Sequence, residues 1–279
     1  MCSYRLFLSL LCAIVLALPA TVHAQIVDPG ARSHCIVLLH GMARTAKSMR
    51  PLARYFRRVS YRVVNVDYPS GEHKLIKLAQ MAVGTGVAKC NKLGARKIHV
   101  ITHSLGGILL RQYLSTNNVP NLGRVVMLAP PNHGSEVVDE FGYVPGFLWL
   151  NGPVGRQLNT DVNSPPRALG PANFEVGIIA GTSSINPILS TLLPNPDDGK
   201  VSVYSARLTG MCAFLTLPVS HPFIMRNKIV MFQSLRFLRT GRFTHERAEH
   251  WPRNDVNCSS VADGKPSEPV HNESDTYLY

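Results

Sequence analysis

From residue 35 to residue 240 the chain repeats one pattern, a short apolar run followed by a longer stretch with apolar positions three and four apart. The short runs fall at 35–40, 62–67, 97–102, 124–129, 175–180 and 214–218 and predict strands. The longer periods predict helices at 46–58, 73–93, 105–116 and 222–239, the last ending at Thr240-Gly241, where glycine suits a helix terminus. Strands alternating with helices imply an α/β fold, a mostly parallel sheet of about six strands flanked by helices on both faces.

Two segments break the alternation. Residues 135–172 are far longer than an ordinary connection and rich in Gly, Pro and aromatics, so they are expected to form a cap insertion. Phe141, Tyr143, Phe147, Leu148, Trp149 and Leu150 give it an apolar surface, with Phe147 and Trp149 the candidate substrate-binding residues; the alternative is that these aromatics simply pack the insertion onto the sheet. From Phe243 the chain turns polar, and residues 243–279 are expected to be a disordered tail because they cannot bury enough surface to offset ordering entropy.

The first 24 residues stand apart. Arg5 precedes an apolar run from Leu6 to Ala20, and Val22-His23-Ala24 forms a small-residue cleavage pattern, so 1–24 reads as a signal peptide for secretion or the periplasm. The alternative is a membrane anchor, for which the run is short of the ~20 residues a span needs. Composition, 45% hydrophobic and 16% charged, then leaves 25–242 as one globular domain. Export would put Cys35, Cys90, Cys212 and Cys258 in an oxidising compartment, where disulfides are possible with undetermined pairing; Cys35 would equally serve as a buried thiol, and the spacings match no zinc site.

Charge adds a modest constraint. With 29 Lys and Arg against 17 Asp and Glu, the chain carries a formal +12. Lys47, Arg50, Arg54, Arg57 and Arg58 share one side of the helix at 46–58, opposite Met49, Leu52, Phe56 and Val59. That side reads as a solvated helix face, or as peripheral contact with an anionic membrane. No nucleic-acid motif, dinucleotide-binding glycine loop or Walker A sequence is present, which removes nucleic acid as an expected partner.

The chemistry concentrates at Ile101-Thr102-His103-Ser104-Leu105-Gly106-Gly107, where a strand runs straight into a helix with a serine between them. Such a turn lifts the serine hydroxyl above the carboxyl edge of the sheet as a nucleophile. Thr102 departs from the G-x-S-x-G pattern. A tetrahedral intermediate also needs backbone donors for its oxyanion. The turn at His40-Gly41-Met42 after the first strand supplies Met42, and the elbow supplies Leu105.

Hydrolases on such an elbow order their triad as serine, acid, histidine. Asp198, in Asp197-Asp198-Gly199-Lys200 after the fifth strand, is the expected acid, with Asp197 read as a solvated turn residue and Asp139 and Asp161 set aside inside the insertion. His221, after the sixth strand, is the expected base, since the other histidines of the domain precede the acid. This chemistry calls for no metal or organic cofactor.

The segments Leu38-Leu39-His40-Gly41, Asn65-Val66-Asp67-Tyr68-Pro69-Ser70, His103-Ser104-Leu105-Gly106-Gly107, Ala129-Pro130-Pro131-Asn132 and Asp198-Gly199-Lys200-Val201 resemble those of bacterial lipases and esterases of the α/β-hydrolase superfamily, over about residues 33–242. The resemblance implies an α/β-hydrolase fold and hydrolysis of carboxylic esters, small or lipid-like, with nucleophile, acid and base on Ser104, Asp198 and His221. Acyltransferases and thioesterases share the scaffold, and so would a non-catalytic binding module, whose expected mark is a missing triad residue. No such loss is seen here.

Overall fold

The computed structural model describes residues 31–142, 146–244 and Cys258, apart from the side chains of 147–150, 188 and 189. The apolar runs form six strands, β1 His34–Leu39, β2 Arg62–Val66, β3 Lys97–His103, β4 Leu122–Leu128, β5 Val176–Gly181 and β6 Ala213–Leu217. They make one sheet in the order β2-β1-β3-β4-β5-β6, with every neighbouring pair parallel. All strands therefore end on one edge, and the loops leaving that edge converge although they lie far apart in sequence.

Alternation along β1 divides the core in two. Cys35, Val37 and Leu39 face one layer, while Ile36 and Leu38 face the other. The first layer is covered by α2 Leu75–Ala79, α3 Thr85–Lys92 and α4 Leu105–Leu114, and α2 joins α3 through a π turn at Gln80–Gly84. The second is covered by α1 Arg50–Arg58, which buries Leu52, Ala53 and Phe56 and leaves Arg50, Arg54, Arg57 and Arg58 exposed.

The insertion folds into α5 Glu136–Phe141, α6 Phe147–Gly155 and α7 Pro165–Ala168. It is bonded to the sheet's helices at several points. Gln157 accepts from the Leu75 amide at 2.8 Å, and the buried Arg111 of α4 donates to the Gly170 carbonyl at 2.7 Å and, just before the insertion, to the Asn132 carbonyl at 3.2 Å. Short helices α8 Pro187–Ser190 and α9 Val203–Ala206 follow. The final helix, α10 Lys228–Thr240, completes the second layer.

Three expectations shift. The helix expected from 222 begins at 228, because Asn227 stays extended and caps α10 by accepting from the amides of Ile229 and Val230. The folded segment runs beyond 242: Phe243 is buried against Phe237, with ring centroids 5.1 Å apart, and Thr244 exchanges two hydrogen bonds with Gln233. The cysteines pair as Cys35–Cys90 and Cys212–Cys258. Residues 1–24, read as a signal peptide, and the tail residues 245–257 and 259–279 lie outside the described residues.

Candidate active site

Ser104 stands at the junction of β3 and α4 with φ 52° and ψ −123°. For a non-glycine residue that conformation costs about 1–3 kcal/mol, and the surroundings must enforce it. Three contacts do so. The Ser104 amide donates to the Leu128 carbonyl at 2.9 Å. A Cβ on Gly106 would lie 2.9 Å from the Leu39 carbonyl oxygen, and one on Gly41 would lie 3.1 Å from Ser104 Cβ. The helix, the end of β1 and the serine are thus packed as closely as glycine permits.

Thr102 fits for a related reason. It is fully buried, and its Oγ1 lies 3.4 Å from where a Cβ on Gly107 would be, so the glycine in the helix makes room for the side chain that replaces glycine in the strand.

His221 and Asp198 meet across two loops. His221 Nδ1 lies 2.7 Å from Asp198 Oδ2, and both residues are buried. The carboxylate is held in turn, since Asp198 Oδ1 accepts from the amides of Lys200 and Val201 at 3.0 and 2.9 Å. The His221 amide also donates to the Asp198 carbonyl at 3.0 Å, fixing one loop to the other. With Nδ1 donating to the carboxylate, Nε2 carries the free lone pair.

Asp197 differs from its expected role. It is buried rather than solvated, accepting from the Gly199 amide at 2.6 Å and the Ser190 hydroxyl at 2.5 Å, and so holds the turn that presents Asp198. Asp139 bonds Thr160, and Asp161 caps the Asn163 amide; among the described residues neither is bonded to a histidine.

Ser104 and His221 line one pocket of about 250 Å³ together with Gly41, Met42 and Phe141. A hollow of about 670 Å³ between α2 and α4 is larger but holds none of these groups, so chemistry rather than volume selects the site. Leu105 is the first residue of α4, where amides lack intrahelical partners, and Met42 sits in the turn after β1. Phe147 and Trp149 fall on α6, but their side chains lie outside the described residues.

Residues 36–256 match the alpha/beta hydrolase family. The chain belongs to that family. Among solved structures, this α/β hydrolase is similar to the Bacillus licheniformis lipase BlEst2 in mature form, at 20% identity and TM-score 0.62, covering 76% of this chain and 93% of that one. Phospholipase PlaB from Legionella pneumophila gives 18% identity and TM-score 0.54, covering 75% and 57%. Aspergillus fumigatus lipase B gives 14% identity and TM-score 0.55, covering 74% and 52%. At these identities the likeness is one of fold. A search of curated protein sequences found no match.

The sequence assigns no role of their own to four residues of this hydrolase's site, although His40, Tyr68 and Lys200 fall within the segments that carry the family resemblance. His40 is fully buried, stacks on Tyr68 with ring centroids 4.0 Å apart, and donates from Nδ1 to the Gly41 carbonyl at 2.9 Å; the Tyr68 hydroxyl donates to the His40 carbonyl. Burial lowers the His40 pKa, so the ring stays neutral while it shapes the turn before Met42. The tyrosine's place two residues after β2, the strand beside β1, is the signal that could have found this pair. Arg44 and Lys200 also line the pocket; Lys200 follows the acid's turn, and Arg44, a loop charge, carries no such signal.

Proposed function

We propose that this protein hydrolyses carboxylic esters, with Ser104 as nucleophile, His221 as general base, Asp198 as the group that orients it, and the Met42 and Leu105 amides as oxyanion donors. The observation that carries the reading is the 2.7 Å bond from His221 Nδ1 to Asp198 in a pocket that also holds a serine with positive φ. His221 Nε2 takes the hydroxyl proton as Oγ attacks the ester carbonyl. The C–O bond to the alcohol then breaks, the alcohol leaves with that proton, and water repeats the sequence to release the acid.

Val137, Val138, Phe141 and Leu158 line the same pocket and suit an apolar acyl chain. Export to an oxidising compartment belongs to the same proposal, supported by the Cys35–Cys90 and Cys212–Cys258 disulfides.

The test is fluorophosphonate labelling followed by kinetics on p-nitrophenyl esters of increasing chain length, with a thioester and an anilide alongside. Labelling of the wild type that disappears in Ser104→Ala is the expected result. Wild-type protein that resists the probe, or labelling that survives the substitution, would overturn the assignment.

A further inference from the structure

The pocket carries two cations that hydrolysis as proposed above does not use. Arg44 lies two residues after Met42, and Lys200 two residues after Asp198, so both lining residues come from the loops that frame Ser104 and His221. Among the described residues neither side chain makes an ion pair or a hydrogen bond. They act on one another: desolvation, and after it the Arg44 guanidinium, hold the Lys200 ammonium below its ordinary range, with Asp198 pulling the other way. Both cations also bear on the buried His103 ring.

Two neighbouring like charges repel, weakly where water screens them, and an anion held between them turns that repulsion into attraction. Asp198 is the carboxylate that acts on Lys200, but both of its oxygens are engaged, one by His221 and the other by the amides of Lys200 and Val201. The pocket is therefore divided, with apolar walls at Val137, Val138, Phe141 and Leu158 and an uncompensated positive rim at Arg44 and Lys200.

We propose that the substrate is an amphiphilic ester bearing an anionic group, a phosphate or a carboxylate, a few bonds from the scissile carbonyl. Its apolar chain lies along the valine and phenylalanine wall, and its anion bridges Arg44 and Lys200. This rests on the hydrolase reading and adds to it the substrate class. Both cations are exposed, so what sets them apart from scattered surface charges is that they line the same pocket as the apolar wall; an anion bound there relieves the repulsion between them and forms charge-assisted hydrogen bonds while its chain is held.

Calorimetry on the Ser104→Ala protein, which needs no turnover, tests the anion site directly. Decyl phosphate and decanoate are compared with decan-1-ol, and inorganic phosphate alone is the control for the anion without its chain. At least one anionic amphiphile should bind about tenfold or more tightly than the alcohol, with the margin shrinking as salt is raised. A gain for both anions means a general anion site; a gain for decyl phosphate alone means a phosphate-bearing ester. In Arg44→Gln/Lys200→Gln the anion should lose its margin over the alcohol, and each single substitution should lose part of it. Equal binding of alcohol and anions, no binding by either anion, or a margin that survives the double substitution would overturn the proposal. Fluorophosphonate labelling of the wild-type serine reads the hydrolase assignment separately, so the two can fail independently.

Discussion

The imidazole of His103 lies 4.7 Å from that of His221, and its Nε2 donates to the His221 carbonyl oxygen at 3.1 Å. Burial, and after it the neighbouring His221, hold the His103 pKa well below the ordinary histidine range, so His103 is a neutral donor fastened to the backbone of the proposed base. Replacing it with phenylalanine leaves that buried carbonyl without its partner, worth about 1–3 kcal/mol. His103→Phe should lower kcat about tenfold, and His103→Gln, which keeps a donor, should recover much of the loss. A phenylalanine variant with a lower Tm and unchanged kcat would mean that His103 only fills space.

The adjacent aspartates should separate activity from stability. If Asp198 is the orienting acid proposed above, Asp198→Asn disturbs the tautomer of His221 and lowers kcat by a factor on the order of 10⁴, the scale seen when a triad acid is neutralised. Asp197→Asn weakens the bonds to Ser190 and Gly199, which should cost about 1–3 kcal/mol in unfolding measurements while most kcat remains. A fall in kcat at Asp197 as large as that at Asp198 would exchange their roles.

Acid should destabilise the fold through its buried histidines, His99 and His103 most strongly and His40 in the same direction. Burial first, and then His34, lower the His99 pKa to about 3, and His103 is also strongly depressed. In the unfolded chain both titrate near 6.5, so below that value the unfolded state binds protons that the folded state refuses, and stability falls as pH falls. The upper limit is about 1.4 kcal/mol per pH unit for each histidine, beginning at about 6.5 and ending for His99 near 3. Denaturant titrations at pH 7.5, 6 and 5 should show the decline, and His99→Gln should make it shallower. A midpoint that does not move between pH 7.5 and 5 would contradict the burial argument.

Two glycines at the elbow should fail differently. A Cβ on Gly41 meets the His103 ring at 2.9 Å and the Ser104 side chain at 3.1 Å, whereas one on Gly106 meets the Leu39 and His40 carbonyl oxygens at 2.9 and 3.0 Å. Side chains can yield, but backbone cannot. Gly41→Ala is expected to displace the proposed oxyanion loop and lower kcat about 100-fold with a small change in Tm, the scale of losing one oxyanion donor. Gly106→Ala should lower Tm sharply, because the end of β1 and the start of α4 must separate. The reverse ranking of the two Tm values would remove this distinction.

Much of this architecture can be read along the chain because buried parallel strands are short apolar runs, and the serine turn lies within consecutive residues. What resists reading depends on distance in space. Cys35 and Cys90 become partners only because α3 lies against β1, and Asp197 loses its solvent only because α8 folds back to it. Phe243 is one aromatic in a polar stretch, and its burial depends on Phe237 six residues earlier and on Gly177 beneath both rings. Arg44 and Lys200 resemble solvated loop charges until the sheet edge brings their loops together.

The bond between Cys212 and Cys258 closes a ring of chain, 46 residues apart at its ends, that contains His221. A protease that nicks the backbone once anywhere inside that ring therefore releases nothing. Cut before His221, the histidine remains attached to the body of the protein through Cys258; cut after it, the histidine remains attached through β6. Such a nick would leave the mass of the unreduced protein intact except for one added water, and two fragments would part only when a thiol is supplied.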